Sequence, residues 1–259
     1  MKKEGYKEQK TFKQLTEEGA KDLMQQVDIY DLGVKKYLTE DLMEKIYARP
    51  QLDLKTHELC TISALVTLGV ASELILTTHF GIALNVAAQE EVRELIVQLY
   101  PIAGWPVVLS AFETFNRVLE ERETERRLQP LRERYEQANW RKEGMDTGRK
   151  IHGPEEWDRL IGKVRKFEPG VADFLIEDVY GEVFNRNSVL DIKTKHLCFV
   201  VSLTVLNNMP ILKKFISGAL NVGCTSQEIK EVIFQMSGYR GWPVTLNAID
   251  AFNEVVGEF

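Results

Sequence analysis

The sequence predicts an all-α protein that consists of two tandem copies of one multi-helix unit. Two observations carry this prediction. Sequence blocks of the first half recur in the second half in the same order, and apolar residues recur at helical spacing between residues that typically cap helices. No stretch shows the period-two alternation, bounded by turns, that is typical of a half-buried strand.

The repeat is visible when the two halves are compared directly. Three blocks match, and their offset changes by only one or two residues. The pairs are LDLKTHELC (52–60) with LDIKTKHLC (190–198), IALNV (82–86) with GALNV (218–222), and GWPVVLSAFETFN (104–116) with GWPVTLNAIDAFN (241–253). Such ordered matches indicate an internal duplication. We predict a first repeat over residues 1–122, a charged helical linker over 123–140 and a second repeat over 141–259.

Capping residues mark the helix ends. Asp53 and Thr56 are N-cap candidates for a long apolar helix that Gly69 would end. Ser72 can cap the helix that follows. The TSQE segment at 225–228 is a capping box ahead of a helix with apolar residues at helical spacing. Each GWP element should break one helix and begin another, because proline is tolerated in the first turn.

The composition excludes several classes of function. Hydrophobic residues make up 44% and charged residues 28% of the 259 positions, which is typical of globular proteins, and the net charge of −6 argues against nucleic-acid binding. No apolar run reaches the roughly 18 residues of a membrane span, and no apolar segment follows the basic N-terminus. Three cysteines without a closely spaced pair favour a reducing compartment. We therefore expect a cytoplasmic protein without nucleic-acid or membrane partners.

Several ordered motifs resemble a known family. RPQLDLKTHEL, a later histidine, ALN and GWP in the first repeat, and RKEGMDTGRKIHG with DVYGEVFNRNSVLDIKTK in the second, are similar to the carboxymuconolactone decarboxylase family, which includes the alkylhydroperoxidase D relatives. The resemblance covers nearly the whole chain. It implies small all-α units that assemble as trimers or hexamers and need no cofactor. A chain with two units should then form a homotrimer.

The resemblance also implies a site. Glu58 matches the family's glutamate early in the first core helix, and His79 matches the histidine late in the next helix. The peroxidase branch carries Cys-x-x-Cys just ahead of that histidine, where this chain has Ser72 and Ile75. This departure argues against thiol-peroxidase chemistry.

The residues themselves leave two interpretations of this pair. His79 lies in a helix that is apolar nearly all round, so it is either a satisfied core histidine or a proton-transfer group, for which an unperturbed pKa of about 6.5 is suitable. Glu58 either favours the helix dipole or is the buried partner of His79. We predict that the two side chains form a hydrogen bond at the wall of a pocket. Cys60 and its counterpart Cys198 are best explained as small buried hydrophobes.

Other candidates are weaker. Arg49 could bind a substrate carboxylate or be an exposed arginine at a helix end. Trp105 could line the pocket, although its recurrence as Trp242 favours an architectural role. His57 is replaced by a lysine in the second repeat, which indicates an exposed position, and His152 is expected at the surface. We predict no metal site.

The second repeat lacks the ionisable pair. His196 stands in place of Glu58, and Phe215 stands in place of His79. Phenylalanine cannot transfer protons, so the second copy is expected to be structural, with its site filled. The leading hypothesis is a cofactor-independent lyase that decarboxylates a small carboxylated lactone or related acid. The alternatives are a thiol-dependent peroxidase of the peroxiredoxin type and a non-enzymatic oligomer that binds a small molecule.

Overall fold

A computed structural model of the chain describes residue 37 and residues 45–69, 73–124 and 139–257. All regular structure in these residues is helical, which confirms the predicted fold class. The first repeat contributes α1 (Leu54–Leu68), α2 (Glu73–Ala83), α3 (Gln89–Gln98), α4 (Tyr100–Ala103) and α5 (Trp105–Glu121). None of the helices in these ranges is both long and apolar enough to cross a membrane.

The second repeat has the same core helices and a preceding segment. It contributes α6 (Trp140–His152), α7 (Pro154–Phe167), α8 (Pro169–Phe174), a π-helix (Leu175–Val183), α9 (Ile192–Val205), α10 (Met209–Asn221), α11 (Ser226–Gln235), a 3₁₀ turn (Met236–Gly238) and α12 (Trp242–Val256). The order α9, α10, α11, α12 repeats the order α1, α2, α3, α5, as expected for a duplicated unit.

Helices α1 and α9 pack against each other at the centre of the protein. Both are surrounded by other residues on all sides, so that nearly every residue of each is buried. The side chains of Cys60 and Cys198 meet at this contact, with 3.9 Å between the two sulfur atoms, and the hydroxyls of Ser63 and Ser202 are hydrogen-bonded at 2.8 Å. Cys60 and Cys198 are equivalent positions of the two repeats, so their contact indicates that the repeats are related by an approximate twofold axis.

The predicted caps are largely present. The Asp53 side chain accepts the Thr56 backbone N–H at 2.8 Å, which makes Asp53 the N-cap of α1 and places Thr56 inside the helix. Gly69 ends α1 with a left-handed φ of 59°, and the capping box at Thr225 begins α11. Ser72 and residues 125–138 of the predicted linker lie outside the described residues.

Candidate functional site

Glu58 and His79 form a buried hydrogen-bonded pair. Glu58 lies in the first turns of α1 and His79 in the last turns of α2, which packs against α1. Nδ1 of His79 donates to Oε2 of Glu58 at 2.9 Å, and the two side chains are 4% and 0% exposed. The contact that the sequence predicts is present, whereas the catalytic roles of the two residues stay a prediction.

This geometry selects one tautomer of the histidine. A carboxylate only accepts hydrogen bonds, so its bond to Nδ1 fixes the proton there and leaves Nε2 as the nitrogen that can exchange a proton. The second carboxylate oxygen, Oε1 of Glu58, is buried and accepts no hydrogen bond from a described residue. A buried oxygen in this state costs about 1–3 kcal/mol, so the hydrogen bond of Oε2 to His79 offsets part of the cost of burying this side chain.

Three hydroxyls form a buried network beside the pair. The Tyr47 hydroxyl is hydrogen-bonded to Thr61 at 2.6 Å and to the Tyr239 hydroxyl, and Thr61 and Tyr239 are 3.3 Å apart. Burial, and then the charge of Glu58, raises the pKa of Tyr239. Burial, the neighbouring phenol and the same charge raise the pKa of Tyr47. Both phenols therefore keep their protons at neutral pH.

Gln235 joins this network to His57. Its Oε1 accepts from Nδ1 of His57 at 2.9 Å, and its Nε2 donates to the His57 carbonyl at 2.9 Å and to Thr61 at 2.8 Å. His57 is 1% exposed, so the expectation of an exposed position was wrong. Its counterpart Lys195 is buried as well, because its long side chain reaches two backbone carbonyls at 3.1 and 2.8 Å. Burial lowers the pKa of His57, which is therefore neutral.

The guanidinium of Arg49 is already bound to a protein carboxylate. It forms a two-pronged ion pair with Glu231 of α11 and lies 5.1 Å from the centre of the Phe234 ring. Arg186 and Glu94 form the equivalent ion pair on the other side of the axis, at 2.8 Å. Arg49 thus connects the two repeats, and its role toward a substrate carboxylate stays a prediction.

Trp105 begins α5 and is half-exposed. Its ring stacks on Tyr100 with 4.5 Å between ring centres. Trp242 occupies the same position at the start of α12 and is exposed to a similar degree. The matching positions agree with an architectural role, and pocket lining by Trp105 stays a prediction.

The equivalent space in the second repeat is filled by aromatic rings. Nδ1 of His196 donates to the Ile192 carbonyl at 2.8 Å, and Phe215 and Phe199 lie 6.5 and 5.5 Å from the imidazole centre. This agrees with the predicted loss of the site.

His152 is buried and hydrogen-bonded to a tyrosine hydroxyl at 2.6 Å, so the expected surface position was wrong. It is the last residue of α6, not part of a loop, and its ring stacks on that of Trp157 in α7 with 5.9 Å between ring centres.

We expect His196 to make the protein sensitive to acid. Burial lowers the pKa of His196 to about 4, with Lys195, His152 and Lys150 adding to the effect and the Ile192 carbonyl opposing it. The unfolded chain therefore takes up this proton first, so the stabilisation is complete above pH ~6.5 and is lost as the pH falls toward 4. The shift corresponds to ~3 kcal/mol.

Denaturant unfolding at neutral and acidic pH tests this expectation. His196→Leu should lose less stability than the wild type over that interval, by up to ~3 kcal/mol. An equal loss in both proteins would mean that His196 titrates normally.

Two surface cavities are lined by described residues, with volumes of about 270 and 490 Å³. The first lies between α2, α3 and α5, and the second lies at the junction of α6 and α7. Neither is lined by Glu58 or His79, so the predicted pocket beside this pair stays a prediction. Within the described ranges, no three His, Cys, Asp or Glu side chains are grouped as a metal site would require.

The cysteines are buried packing residues in this structure. Cys60 and Cys198 are fully buried free thiols, and burial raises the pKa of Cys60 well above its ordinary value. Burial also raises the pKa of Cys224, to about 12. Thiols of this kind react slowly because the thiolate is the nucleophile.

Cys60→Ala should therefore destabilise the protein without affecting the site chemistry. We expect the free energy of unfolding to fall by about 1–2 kcal/mol, because a buried sulfur contact is lost at the α1–α9 interface. Cys198→Ala is the matched control and should behave alike. A folded Cys60→Ala protein with no activity would instead indicate a reactive thiol.

Comparison with known proteins places this site in context. Residues 36–116 and 169–254 match the model of the carboxymuconolactone decarboxylase family. An uncharacterized 15.0 kDa protein of Paracoccus denitrificans, from the nqo9–nqo10 intergenic region, is 34% identical over 97 residues, which are 37% of this chain and 72% of the relative. The 4-carboxymuconolactone decarboxylase of Acinetobacter baylyi is 26% identical over 114 residues, which are 44% of this chain and 84% of the relative. Each relative thus corresponds to about one repeat.

Proposed function

Because the chain belongs to the carboxymuconolactone decarboxylase family, we propose that it is a cofactor-independent lyase that removes carbon dioxide from a small carboxylated lactone or a related acid. The observation that supports this most is the buried hydrogen bond between His79 and Glu58. It supplies an imidazole whose Nε2 can exchange a proton and a carboxylate that can stabilise the resulting imidazolium.

The reaction needs one proton to be delivered to carbon. Cleavage of the bond to the carboxylate releases carbon dioxide and leaves its electron pair in the conjugated system. His79, as the imidazolium, donates its Nε2 proton to the carbon on which that charge accumulates, and the neutral ring is reprotonated by water. Glu58 holds the Nδ1 proton throughout, so the ring keeps its orientation while it changes charge.

Incubation with 4-carboxymuconolactone tests the proposal directly. Release of carbon dioxide and disappearance of the lactone would be followed by NMR, with a panel of small carboxylated lactones and keto acids beside it. Glu58→Gln, which keeps the shape of the side chain and removes its charge, should lower kcat by roughly 10²-fold or more. If wild-type protein turns over no member of the panel, lyase chemistry of this class is the wrong assignment.

The thiol-peroxidase alternative has less support. It requires a reactive thiol beside a base, and the buried, high-pKa state of Cys60 does not provide one. Titration of the native protein with a thiol reagent distinguishes the two chemistries, because a rapidly modified cysteine would favour the peroxidase.

We also expect the chain to assemble as a homotrimer, which would give a ring of six repeats. Light scattering coupled to size exclusion should then report a mass of about three times the 29.7 kDa of one chain. A monomer over the whole concentration range would contradict this expectation.

A further inference from the structure

One short segment of the second repeat contacts both sides of the Glu58–His79 pair. This segment, residues 235–239, includes the 3₁₀ turn that follows α11. Its first residue, Gln235, is hydrogen-bonded to His57, which precedes Glu58 in the chain. Its last residue, Tyr239, lies against the ring of His79. The second repeat therefore supplies groups to the site of the first.

Gln235 fixes the part of α1 that carries Glu58. Its Nε2 donates to the carbonyl of His57, which can only accept, so the other end of the amide must be the oxygen and must accept from Nδ1 of His57. With the bond to Thr61, three hydrogen bonds hold residues on both sides of Glu58 in the chain. Since all these groups are buried, the arrangement tolerates little movement of the helix turn between them.

Tyr239 supports His79 from the other side. The two rings meet edge to face with 5.9 Å between their centres. The hydroxyl of Tyr239 is bonded to those of Tyr47 and Thr61, so its ring cannot turn freely. The ring of His79 is thus confined between the carboxylate of Glu58 and a fixed aromatic ring.

The duplicated sequence provides an internal comparison. With the two ion-paired residues Arg49 and Arg186 matched, Tyr47 corresponds to Phe184, and with the GWP blocks matched, Tyr239 corresponds to Ile102. Both phenols are therefore replaced by apolar residues at the equivalent site around His196 and Phe215, which lacks the Glu–His pair. A glutamine, Gln98, is kept there, but its Oε1 accepts no hydrogen bond from a described residue.

We propose that Gln235 and Tyr239 are positioning residues of the Glu58–His79 site, so that the second repeat is a working half of the site and not only a packing partner. The effect of this inference on turnover rests on the proposed function. Its effect on the geometry of the Glu58–His79 pair does not depend on any substrate.

The test compares Gln235→Leu and Tyr239→Phe with control variants at buried residues outside the Glu58–His79 site. Gln98→Leu removes the equivalent buried glutamine, and Tyr180→Phe removes a buried phenol that is hydrogen-bonded to His152 at 2.6 Å. The readout is the rate at which the Nδ1 proton of His79, which is hydrogen-bonded to Glu58, exchanges with solvent. Proton NMR of the full-length protein measures this rate. Circular dichroism establishes that each variant is folded.

We expect exchange of this proton to accelerate at least ~10-fold in Gln235→Leu and Tyr239→Phe, and to change less than about twofold in the two controls. The proposal is overturned if either variant behaves like its control. Tyr239→Phe loses a single oxygen atom and decides the matter alone if Gln235→Leu does not fold.

Turnover provides the second readout. On any lactone that the wild type converts, the two variants should lower kcat about tenfold or more and change KM less than about threefold, because they affect orientation and not binding. Absence of turnover in the wild type would count against the lyase assignment only, since the exchange measurement needs no substrate.

Discussion

His79→Phe is expected to remove most of the turnover while the protein keeps its fold. The second repeat already holds phenylalanine at the equivalent position, Phe215, in a well-packed core. Removal of the imidazole takes away the group that delivers the proton in the proposed reaction, and general acid–base groups contribute about 10²–10⁴-fold to a rate. We expect a loss of that size in kcat, measured with the lactone panel.

The stability of His79→Phe is best judged against a second variant, because the substitution also affects Glu58. Glu58 loses the hydrogen-bond partner of its Oε2 atom, which should lower the free energy of unfolding by about 1–3 kcal/mol. The double variant Glu58→His with His79→Phe copies the second repeat at both positions and should recover part of that loss. Phe215→Leu controls for a change at the same helix position in the second repeat, and it should retain full turnover. Retained activity in a folded His79→Phe protein would remove the pair from the mechanism.

The sequence predicted the parts of the site that depend on local signals and on the repeat. Asp53, Gly69 and Thr225 cap helices for reasons contained within a few residues. The Glu58–His79 contact could be predicted because the two residues lie on consecutive helices and match a known pattern. Such signals do not show which residues of one repeat contact the site in the other repeat.

The residues that complete the site were missed because they are distant in the chain. Gln235 reaches His57 across 178 positions, and no local pattern of α11 marks it as different from the other glutamines. One signal in the sequence was available. Tyr47 and Tyr239 differ from their counterparts in the other repeat, which are apolar.

The other error concerned the predicted exposure of charged and polar residues. The exchange of His57 for Lys195 indicated an exposed position, because lysine is rarely buried. Both residues are buried because a different partner is available to each: an amide oxygen for the imidazole and two backbone carbonyls for the ammonium. Such partners are created by the tertiary fold and cannot be inferred from residue type alone.

Gly144 in α6 allows a close approach that no larger residue can accommodate. A Cβ atom at this position would lie 1.8 Å from the carbonyl oxygen of Ile176 and 3.1 Å from the backbone nitrogen of Gly181, both in the π-helix. These are backbone atoms, so relief would require the two helices to separate.

Gly144→Ala is therefore expected to lower the free energy of unfolding by about 3–5 kcal/mol, among the larger effects of a single substitution. Gly162 in α7 is the matched control, because its Cβ would meet no atom within 4 Å and its φ is not left-handed. Alanine there should raise stability by about 0.5–1 kcal/mol, since it favours the helix and restricts the unfolded chain. Denaturant unfolding at one fixed protein concentration measures both, because the stability of a protein that forms oligomers depends on its concentration. The close packing of α6 on the π-helix therefore predicts a large loss of stability for Gly144→Ala, and the open space at Gly162 predicts none for Gly162→Ala. A mild effect of Gly144→Ala would show that α6 and the π-helix can move apart at little cost.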